Sequence, residues 1–128
     1  MNYTSIEQSK KLLELGLSPE SADACYDVGA GQTKAHIECE NFTSYFTNDE
    51  YPELKDRYVP CWSIGALLEM MPIEFALSRE HIKGEIKYRT SYLFEESCES
   101  GYFEGHSYLD ACYKTVVWLL ENNYIKTE

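Results

Sequence analysis

Residues 109–122 have the sequence LDACYKTVVWLLEN, and the rest of the chain must be organised around them. Successive residues of an α-helix lie about 100° apart, so the apolar side chains of this stretch form one broad arc. They are Leu109, Cys112, Tyr113, Val116, Val117, Leu119 and Leu120. Asp110, Lys114 and Glu121 fall on the opposite side. The pattern predicts a core helix that other elements must cover, and it carries no chemistry of its own.

Length and composition predict one soluble domain. The chain has 128 residues, of which 44% are hydrophobic and 14% aromatic, enough for one hydrophobic core but not for two. We therefore expect residues 1–128 to form a single domain. No apolar run approaches the roughly 20 residues that span a bilayer, and the opening residues MNYTSIEQ contain no basic start and no apolar segment. We expect a cytoplasmic protein without a secretion signal.

The net charge of −11, from 22 acidic and 11 basic side chains, bears on the choice of partner. Without a basic stripe, counterion release cannot drive binding to nucleic acid, and anionic membrane surfaces repel the chain. We therefore expect neither nucleic-acid nor membrane binding. Surplus carboxylates are typical of a soluble surface. The alternative is an acidic nucleic-acid mimic that blocks a basic protein surface, with its carboxylates spaced like duplex phosphates along one face.

The N-terminal residues predict a capped helix. Thr4 and Glu7 have the spacing of a capping box, and Gly16 ends the helix in a left-handed conformation. In that arrangement Leu17 folds back onto Leu12. The first helix is therefore expected to end in a tight turn.

A second, shorter helix is expected after that turn. Ser18 is a suitable N-cap and Pro19 suits the first helical position, so we expect a helix to about Cys25 and an N-terminal helical hairpin. A DNA-reading helix-turn-helix begins similarly, but its second helix should be basic, whereas Glu20 and Asp23 are acidic.

The centre of the chain predicts another helix. Ser63 can cap it, Trp62 can brace its start by packing on Leu67, and Pro72 ends it. Its apolar face consists of Ile64, Leu67, Leu68 and Met71.

Antiparallel strands are predicted on either side of a turn from Ser78 to Gly84. Apolar residues alternate before that turn, and the alternation resumes after it. The alternating positions are Ile73, Phe75, Leu77, Ile86, Tyr88 and Thr90, with Tyr92 and Phe94 on an extension or a third strand. Residues 35–39 and 54–59 are candidates for short strands, and Ser97 to Ser107 is predicted to be an acidic loop.

Neither metal nor cofactor chemistry is indicated. His36 and Cys39 form one loose pair, whereas structural zinc needs two close pairs. The stretch from Gly29 to Lys34 lacks the glycine spacing of a phosphate-binding loop. Five scattered cysteines in a cytoplasmic chain are expected to be reduced. They are Cys25, Cys39, Cys61, Cys98 and Cys112.

Enzymatic alternatives remain open at the level of sequence. A cysteine and a histidine can meet in space without any local signature. The carboxylate pairs Glu38/Glu40 and Glu95/Glu96 have the chemistry that a glycosidase needs, although such pairs are expected by chance among 22 acidic residues. The alternative function is therefore a small enzyme with a Cys- or carboxylate-based site.

Aromatic residues near the C-terminus are the candidates for an interface. Tyr102, Phe103 and Tyr108 are expected in or beside the acidic loop, where exposed aromatics favour protein contacts. Trp118 lies near the margin of the apolar arc, so it either packs under the N-terminal helices or presents a flat contact to another chain. A homodimer built on this loop or on an unprotected sheet edge is consistent with these positions.

Three blocks of the sequence, covering about two fifths of the chain, together resemble a known group of proteins. They are residues 1–23, MNYTSIEQSKKLLELGLSPESAD; residues 60–72, PCWSIGALLEMMP; and residues 110–125, DACYKTVVWLLENNYI. As a set they are similar to small uncharacterised proteins of Bacteroides-type gut bacteria and their prophages. The resemblance implies a stand-alone cytoplasmic domain and supplies no catalytic residue.

The sequence thus predicts an α+β fold in which an antiparallel sheet of about three to five strands packs against an N-terminal helical hairpin, a central helix and a C-terminal helix. The expected function is that of a non-enzymatic protein–protein interaction module, able to form a homodimer. No cofactor and no metal are expected.

Overall fold

The computed structural model describes residues 3–27, 58–71, 74–94 and 100–125. These residues form three α-helices, one short 3-10 helix and five strands in two antiparallel sheets. In chain order the elements are α1 (Ile6–Glu14), the 3-10 helix (Pro19–Ser21), β1 (Ala24–Asp27), β2 (Tyr58–Cys61), α2 (Ile64–Glu69), β3 (Glu74–Ile82), β4 (Glu85–Leu93), β5 (Ser100–Gly105) and α3 (Tyr108–Glu121). The α+β class is confirmed. No helix in these ranges has the length and apolar character needed to cross a membrane.

The start of α1 differs from the predicted one by one residue. Ser5, not Thr4, is the N-cap: its Oγ accepts the Gln8 N–H at 3.1 Å, and the Gln8 Oε1 accepts the Ser5 N–H at 2.9 Å. The capping box predicted for Thr4 and Glu7 is therefore wrong. The end of the helix is as predicted, because Gly16 has a φ of 96°.

Thr4 does not cap α1 but takes part in a buried hydrogen-bond network. Its Oγ1 lies 2.8 Å from the Ser9 Oγ and accepts the Trp62 backbone N–H at 3.1 Å. Its carbonyl accepts the Tyr26 hydroxyl at 2.8 Å. Because Thr4 and Ser9 are fully buried, these partners replace water. The network joins the N-terminus to the strands β1 and β2.

The second predicted helix is wrong beyond its first turn. Ser18 caps it and Pro19 begins it as expected, but only the 3-10 helix forms. Ala24–Asp27 then runs as β1 and pairs antiparallel with Tyr58–Cys61, so that Ala24 lies opposite Cys61. Pairing with a strand some thirty residues away overrides the local helical pattern, which no local reasoning could show.

Helix α2 begins as predicted but ends at Glu69, so Met71 lies beyond it, and Pro72 lies outside the described residues. The Ser63 Oγ accepts the Ala66 N–H at 3.2 Å. The carboxylate of Asp23 accepts both the Ser63 backbone N–H, at 2.9 Å, and its hydroxyl. Trp62 and Leu67 are both fully buried in the main core, consistent with the predicted hydrophobic staple.

The second sheet consists of β3, β4 and β5 in that order. The predicted turn from Ser78 to Gly84 is wrong, because β3 continues to Ile82 and only Lys83 and Gly84 form the turn, with φ values of 52° and 81°. The predicted loop from Ser97 to Ser107 is also wrong over Ser100–Gly105, which pairs with β4. The described strands therefore form two separate sheets where one was predicted.

Helix α3 is the predicted core helix. One of its faces joins the main hydrophobic cluster with residues of α1 and α2, and another contacts β4 and β5. Its fully or almost fully buried side chains are Leu109, Ala111, Cys112, Thr115, Val116, Leu119 and Leu120. The helix thus holds the sheet of β3, β4 and β5 against the rest of the molecule.

Candidate interaction surface

The three-stranded sheet has an inner face, toward α3, and an outer face. Three contacts from β4 identify the inner one. The Tyr88 ring meets Tyr108 edge-on at 4.7 Å, the Thr90 hydroxyl donates to the Cys112 Sγ at 3.6 Å, and the Tyr92 ring stacks on Trp118 at 5.0 Å. Because side chains alternate along a strand, the even-numbered residues of β4 face α3.

Strand β3 extends this inner face beyond the helix. Directly paired residues share a face, and Phe75 lies opposite Tyr92 while Leu77 lies opposite Thr90. Thr90 is fully buried, yet Phe75 and Leu77 are 39% and 37% exposed. Helix α3 covers β4 and β5 and leaves β3 open, so the sheet exposes apolar side chains at its margin.

The backbone of β3 also has an open edge among the described strands, because β4 is the one strand it pairs with. In a two-residue hairpin the flanking residues, here Ile82 and Glu85, form a hydrogen-bonded pair, and such pairs recur at every second position. The intervening residues of β3 point their N–H and C=O groups away from β4. These outward-facing residues are Phe75, Leu77, Arg79 and His81. We call them the β3 edge.

Of the four aromatic residues predicted for an interface, three pack within the molecule. Phe103, on β5, stacks on Tyr92 at 5.9 Å and lies 5.7 Å from Trp118. Tyr108 is the first residue of α3 and packs on Tyr88. Trp118 contacts the aromatic rings of Tyr92 on β4, of Phe103 on β5, and of Phe94 and Tyr124. Their ring contacts anchor α3 to the sheet.

Tyr102 is the exception, since it is 56% exposed on the outer face. The guanidinium of Arg89 lies 4.6 Å from its ring centroid, within cation–π range. Arg89 also forms ion pairs with Glu104 at 2.7 Å and Glu80 at 3.0 Å, and Lys87 lies 3.6 Å from Glu104. The acidic side chains here are matched by basic ones, which gives the acidic-mimic hypothesis no support on this face.

Cys61 and Cys112 have the wrong protonation for nucleophilic catalysis. Burial, and to a lesser extent Cys25 and Asp23, raises the pKa of Cys61 to about 12. Burial also raises the pKa of Cys112, although the hydrogen bond from Thr90 opposes this. Since the thiolate is the reactive form, both thiols are unreactive near neutral pH.

The described histidines, cysteines and carboxylates form no candidate metal cluster. Among the described residues no group of three or more His, Cys, Asp and Glu side chains could hold a metal ion. The Asp23 carboxylate is occupied in holding Ser63 at the start of α2. Several sequence candidates lie outside the described residues: Gly29–Lys34, His36, Glu38, Cys39, Glu40, Glu95, Glu96 and Cys98.

The β3 edge was not among the predicted site residues. Only part of its signal is present in the sequence, because the apolar alternation of Phe75 and Leu77 ends before the polar Arg79 and His81. Assigning Ser78 to Gly84 to a turn removed half of the strand. The edge was foreseen only in general terms, as an unprotected sheet margin suited to a homodimer.

Comparison with known proteins adds no assignment: no protein-family model, curated protein or solved structure matches the chain significantly. Function must therefore be argued from the contacts and exposed surfaces of the chain itself.

Proposed function

We propose that this chain is a non-enzymatic, cytoplasmic protein–protein interaction module of bacterial or prophage origin, and that it binds its partner by strand addition at the β3 edge. The single observation that carries the proposal is the nine-residue strand β3, one edge of which pairs with no other described strand and which exposes Phe75 and Leu77 beside the buried Thr90. Strand addition uses these two features together, since main-chain hydrogen bonds supply affinity and alternate side chains supply specificity.

The magnitudes suit a specific but reversible contact. Each main-chain hydrogen bond gained contributes about 0.5–1.5 kcal/mol net. Covering the exposed parts of Phe75 and Leu77 contributes about 25 cal/mol for each Å² of apolar surface removed from water. An added strand and its flanking side chains must bury about 1,000 Å² or more in total to form a stable interface, so the partner must contact more than the edge alone.

The regular backbone of β3 supports the proposal. Soluble proteins commonly protect an edge strand with proline, a bulge or several lysines, because an open edge promotes aggregation. Strand β3 contains no proline and no lysine, and its register with β4 is unbroken from Glu74 to Ile82. Its charged residues Glu74, Arg79 and Glu80 still oppose nonspecific pairing, so the edge is suited to a specific partner strand.

An enzyme with a cysteine-based site is the less favoured function, because burial raises the pKa of both Cys61 and Cys112 and suppresses their thiolate forms. The net charge of −11 is also consistent with an interaction module, since it keeps the protein soluble although one sheet edge can bind another strand.

The proposal can be tested by affinity capture with three tagged versions of the full chain. The baits are the wild type, the double variant Phe75→Lys/Leu77→Lys, and the matched control Ile86→Lys. Ile86 lies on the same face and is 46% exposed, but it belongs to β4, next to the turn. Partner proteins should be retained by the wild type and by Ile86→Lys and lost from the double variant. Equal retention by all three baits would contradict binding at β3.

A further inference from the structure

We infer that the strand added at the β3 edge is β3 of a second copy of this chain, running antiparallel, with the two-fold axis passing beside Ser78. The inference rests on the proposed function and specifies its partner. It follows from the order of side chains along β3, which is EFALSREHI from Glu74 to Ile82.

Symmetry limits the ways in which this strand can pair with itself. Residues that lie opposite each other in an antiparallel pair point to the same face, and residues of one strand share a face only at every second position. The sequence numbers of two paired residues must therefore differ by an even number. The two-fold axis then passes beside one residue, which lies opposite the same residue of the other copy. Both copies of α3 then lie on the same side of one continuous sheet.

Charge selects among the possible axes. An axis beside Leu77 places Glu74 directly opposite Glu80 of the other copy, twice. An axis beside Arg79 places that guanidinium opposite its own symmetry mate. Like charges directly opposite each other destabilise a sheet, so both registers are disfavoured.

An axis beside Glu80 also places like charges opposite each other, so of the registers that pair five or more residues, two avoid this repulsion. An axis beside Ala76 overlaps only the first part of the strand, from Glu74 to Ser78. An axis beside Ser78 pairs β3 along its whole length. In that register Phe75 lies opposite His81, and Leu77 lies opposite Arg79.

Like every register that this symmetry allows, the Ser78 register matches the available hydrogen bonds. The residues of the β3 edge have their side chains on the inner face of the sheet, and their backbone N–H and C=O groups have no ladder partner in β4. In this register they pair with each other across the axis. Hydrogen-bonded pairs of an antiparallel ladder need residues of this kind on both strands. At the same time His81 of the other copy lies beside Phe75, and its Arg79 lies beside Leu77.

The local charge of the strand favours a second copy over a basic partner. Its charged residues are Glu74, Glu80 and Arg79, so with His81 neutral the strand carries −2 + 1 = −1 of the chain's total of −11. A surface that recruits a basic strand gains from concentrated acidic residues, whereas β3 is the nearly neutral margin of an acidic molecule. Self-association at this edge should therefore persist at 0.5 M salt, where surface electrostatics are screened to within a few ångströms.

The test is disulfide trapping at Ser78, with Ala76 as the matched control on the same strand and face. The variants S78C and A76C are made with Cys39 and Cys98 replaced by serine, so that the remaining native thiols are the buried Cys25, Cys61 and Cys112. In the inferred register the two Ser78 Cα atoms lie about 4.5 Å apart, as in a non-hydrogen-bonded pair. Ala76 of one copy lies four residues along the strand from Ala76 of the other, so their Cα atoms are about 14 Å apart. This distance is far beyond the roughly 7 Å limit for a disulfide.

Under mild oxidation the expected result is a disulfide-linked dimer as the main product of S78C and only background dimer from A76C. Sedimentation equilibrium of the wild type should show a dimer that the double variant Phe75→Lys/Leu77→Lys does not form. Urea unfolding in reductant checks that S78C and A76C fold like the wild type.

Each contrary outcome has a distinct meaning. Trapping of A76C in preference to S78C would overturn the register. A monomeric wild type whose edge-dependent capture of other proteins is intact would overturn the second copy as partner but leave the proposed function standing. Capture that is insensitive to the edge substitutions would overturn both.

Discussion

At the residue scale, the surroundings of Cys61 explain why a thiol at the centre of the molecule is inert. Cys61 lies opposite Ala24 in the small sheet, where it packs with Val59 and Tyr26 and is fully buried. Burial, the neighbouring Cys25 and the carboxylate of Asp23 all disfavour its thiolate, which raises the pKa to about 12. The side chain acts as a small apolar group whose ionisation opposes folding.

This raised pKa predicts a loss of stability in alkaline solution. In the unfolded chain the thiol ionises near its ordinary pKa of 9.0, whereas in the folded chain it holds its proton until about 12. The contribution of the protonated Cys61 thiol to the free energy of unfolding is therefore fully present below about pH 9 and is lost as the pH rises toward 12. Urea unfolding in reductant at pH 8 and pH 10 should show a steeper decline in the free energy of unfolding for the wild type than for Cys61→Ala. Equal declines in the two proteins would contradict the assigned burial.

Thr4 and Ser5 show how adjacent hydroxyl groups divide two roles. Ser5 caps α1, and Thr4 joins Ser9, Tyr26 and the backbone of Trp62 inside the molecule. Both residues are suitable N-caps in sequence. The buried partners of Thr4, which come from distant parts of the chain, decide which of the two caps the helix.

At the element scale, the junction between β5 and α3 depends on a glycine. A Cβ atom on Gly105 would lie 2.6 Å from the Asp110 Oδ2 and 2.7 Å from the Ala111 backbone nitrogen. The first turn of α3 therefore lies so close to the end of β5 that any residue with a Cβ atom at position 105 would clash with it. The Lys114 ammonium closes the same junction by donating to the Glu104 carbonyl at 2.9 Å.

Gly105→Ala is expected to lower the free energy of unfolding by about 1–3 kcal/mol, the usual cost of overpacking, because the backbone of α3 must move away from β5. Gly65→Ala is the matched control, since its added Cβ would meet no atom nearer than the Ser63 Oγ at 3.7 Å. An alanine in helix α2 should change stability little or raise it by up to about 1 kcal/mol. Thermal and urea unfolding measure both changes, and a neutral Gly105→Ala would show that the junction is looser than described.

At the scale of the whole molecule, α3 connects two groups of the described elements that have few other contacts with each other. One of its faces packs with α1 and α2 around Leu12, Leu67 and Leu119. Another stacks Trp118 on the aromatic rings of the three-stranded sheet. Elements joined through one shared helix are expected to unfold together.

Leu119→Ala should therefore destabilise the entire described fold. The side chain is fully buried, so the expected loss is about 2–5 kcal/mol. Glu121→Ala, an exposed change on the same helix, should alter stability by no more than about 0.5 kcal/mol. Hydrogen exchange should show faster amide exchange in both sheets of Leu119→Ala. Loss of protection in one sheet alone would mean that α3 does not couple them.

Local chemistry in the sequence determined several elements of this protein by itself. The apolar arc of residues 109–122 specified a buried helix, Ser63 and Trp62 specified the start of α2, and Gly16 specified the end of α1. The alternation around Phe75 and Tyr88 specified two neighbouring strands. In each case the signal lies within a few residues, because caps, turns and side-chain periodicity depend on adjacent backbone geometry.

Only the tertiary structure decided which surfaces are covered. Ala24–Asp27 became a strand because Tyr58–Cys61 lies beside it, and Ser100–Gly105 became one because β4 offered an edge. The exposure of Phe75 and Leu77 has the same origin. The periodicity of a strand predicts which side chains share a face. Whether that face is buried depends on where α3 packs, which is a long-range property that no local pattern encodes.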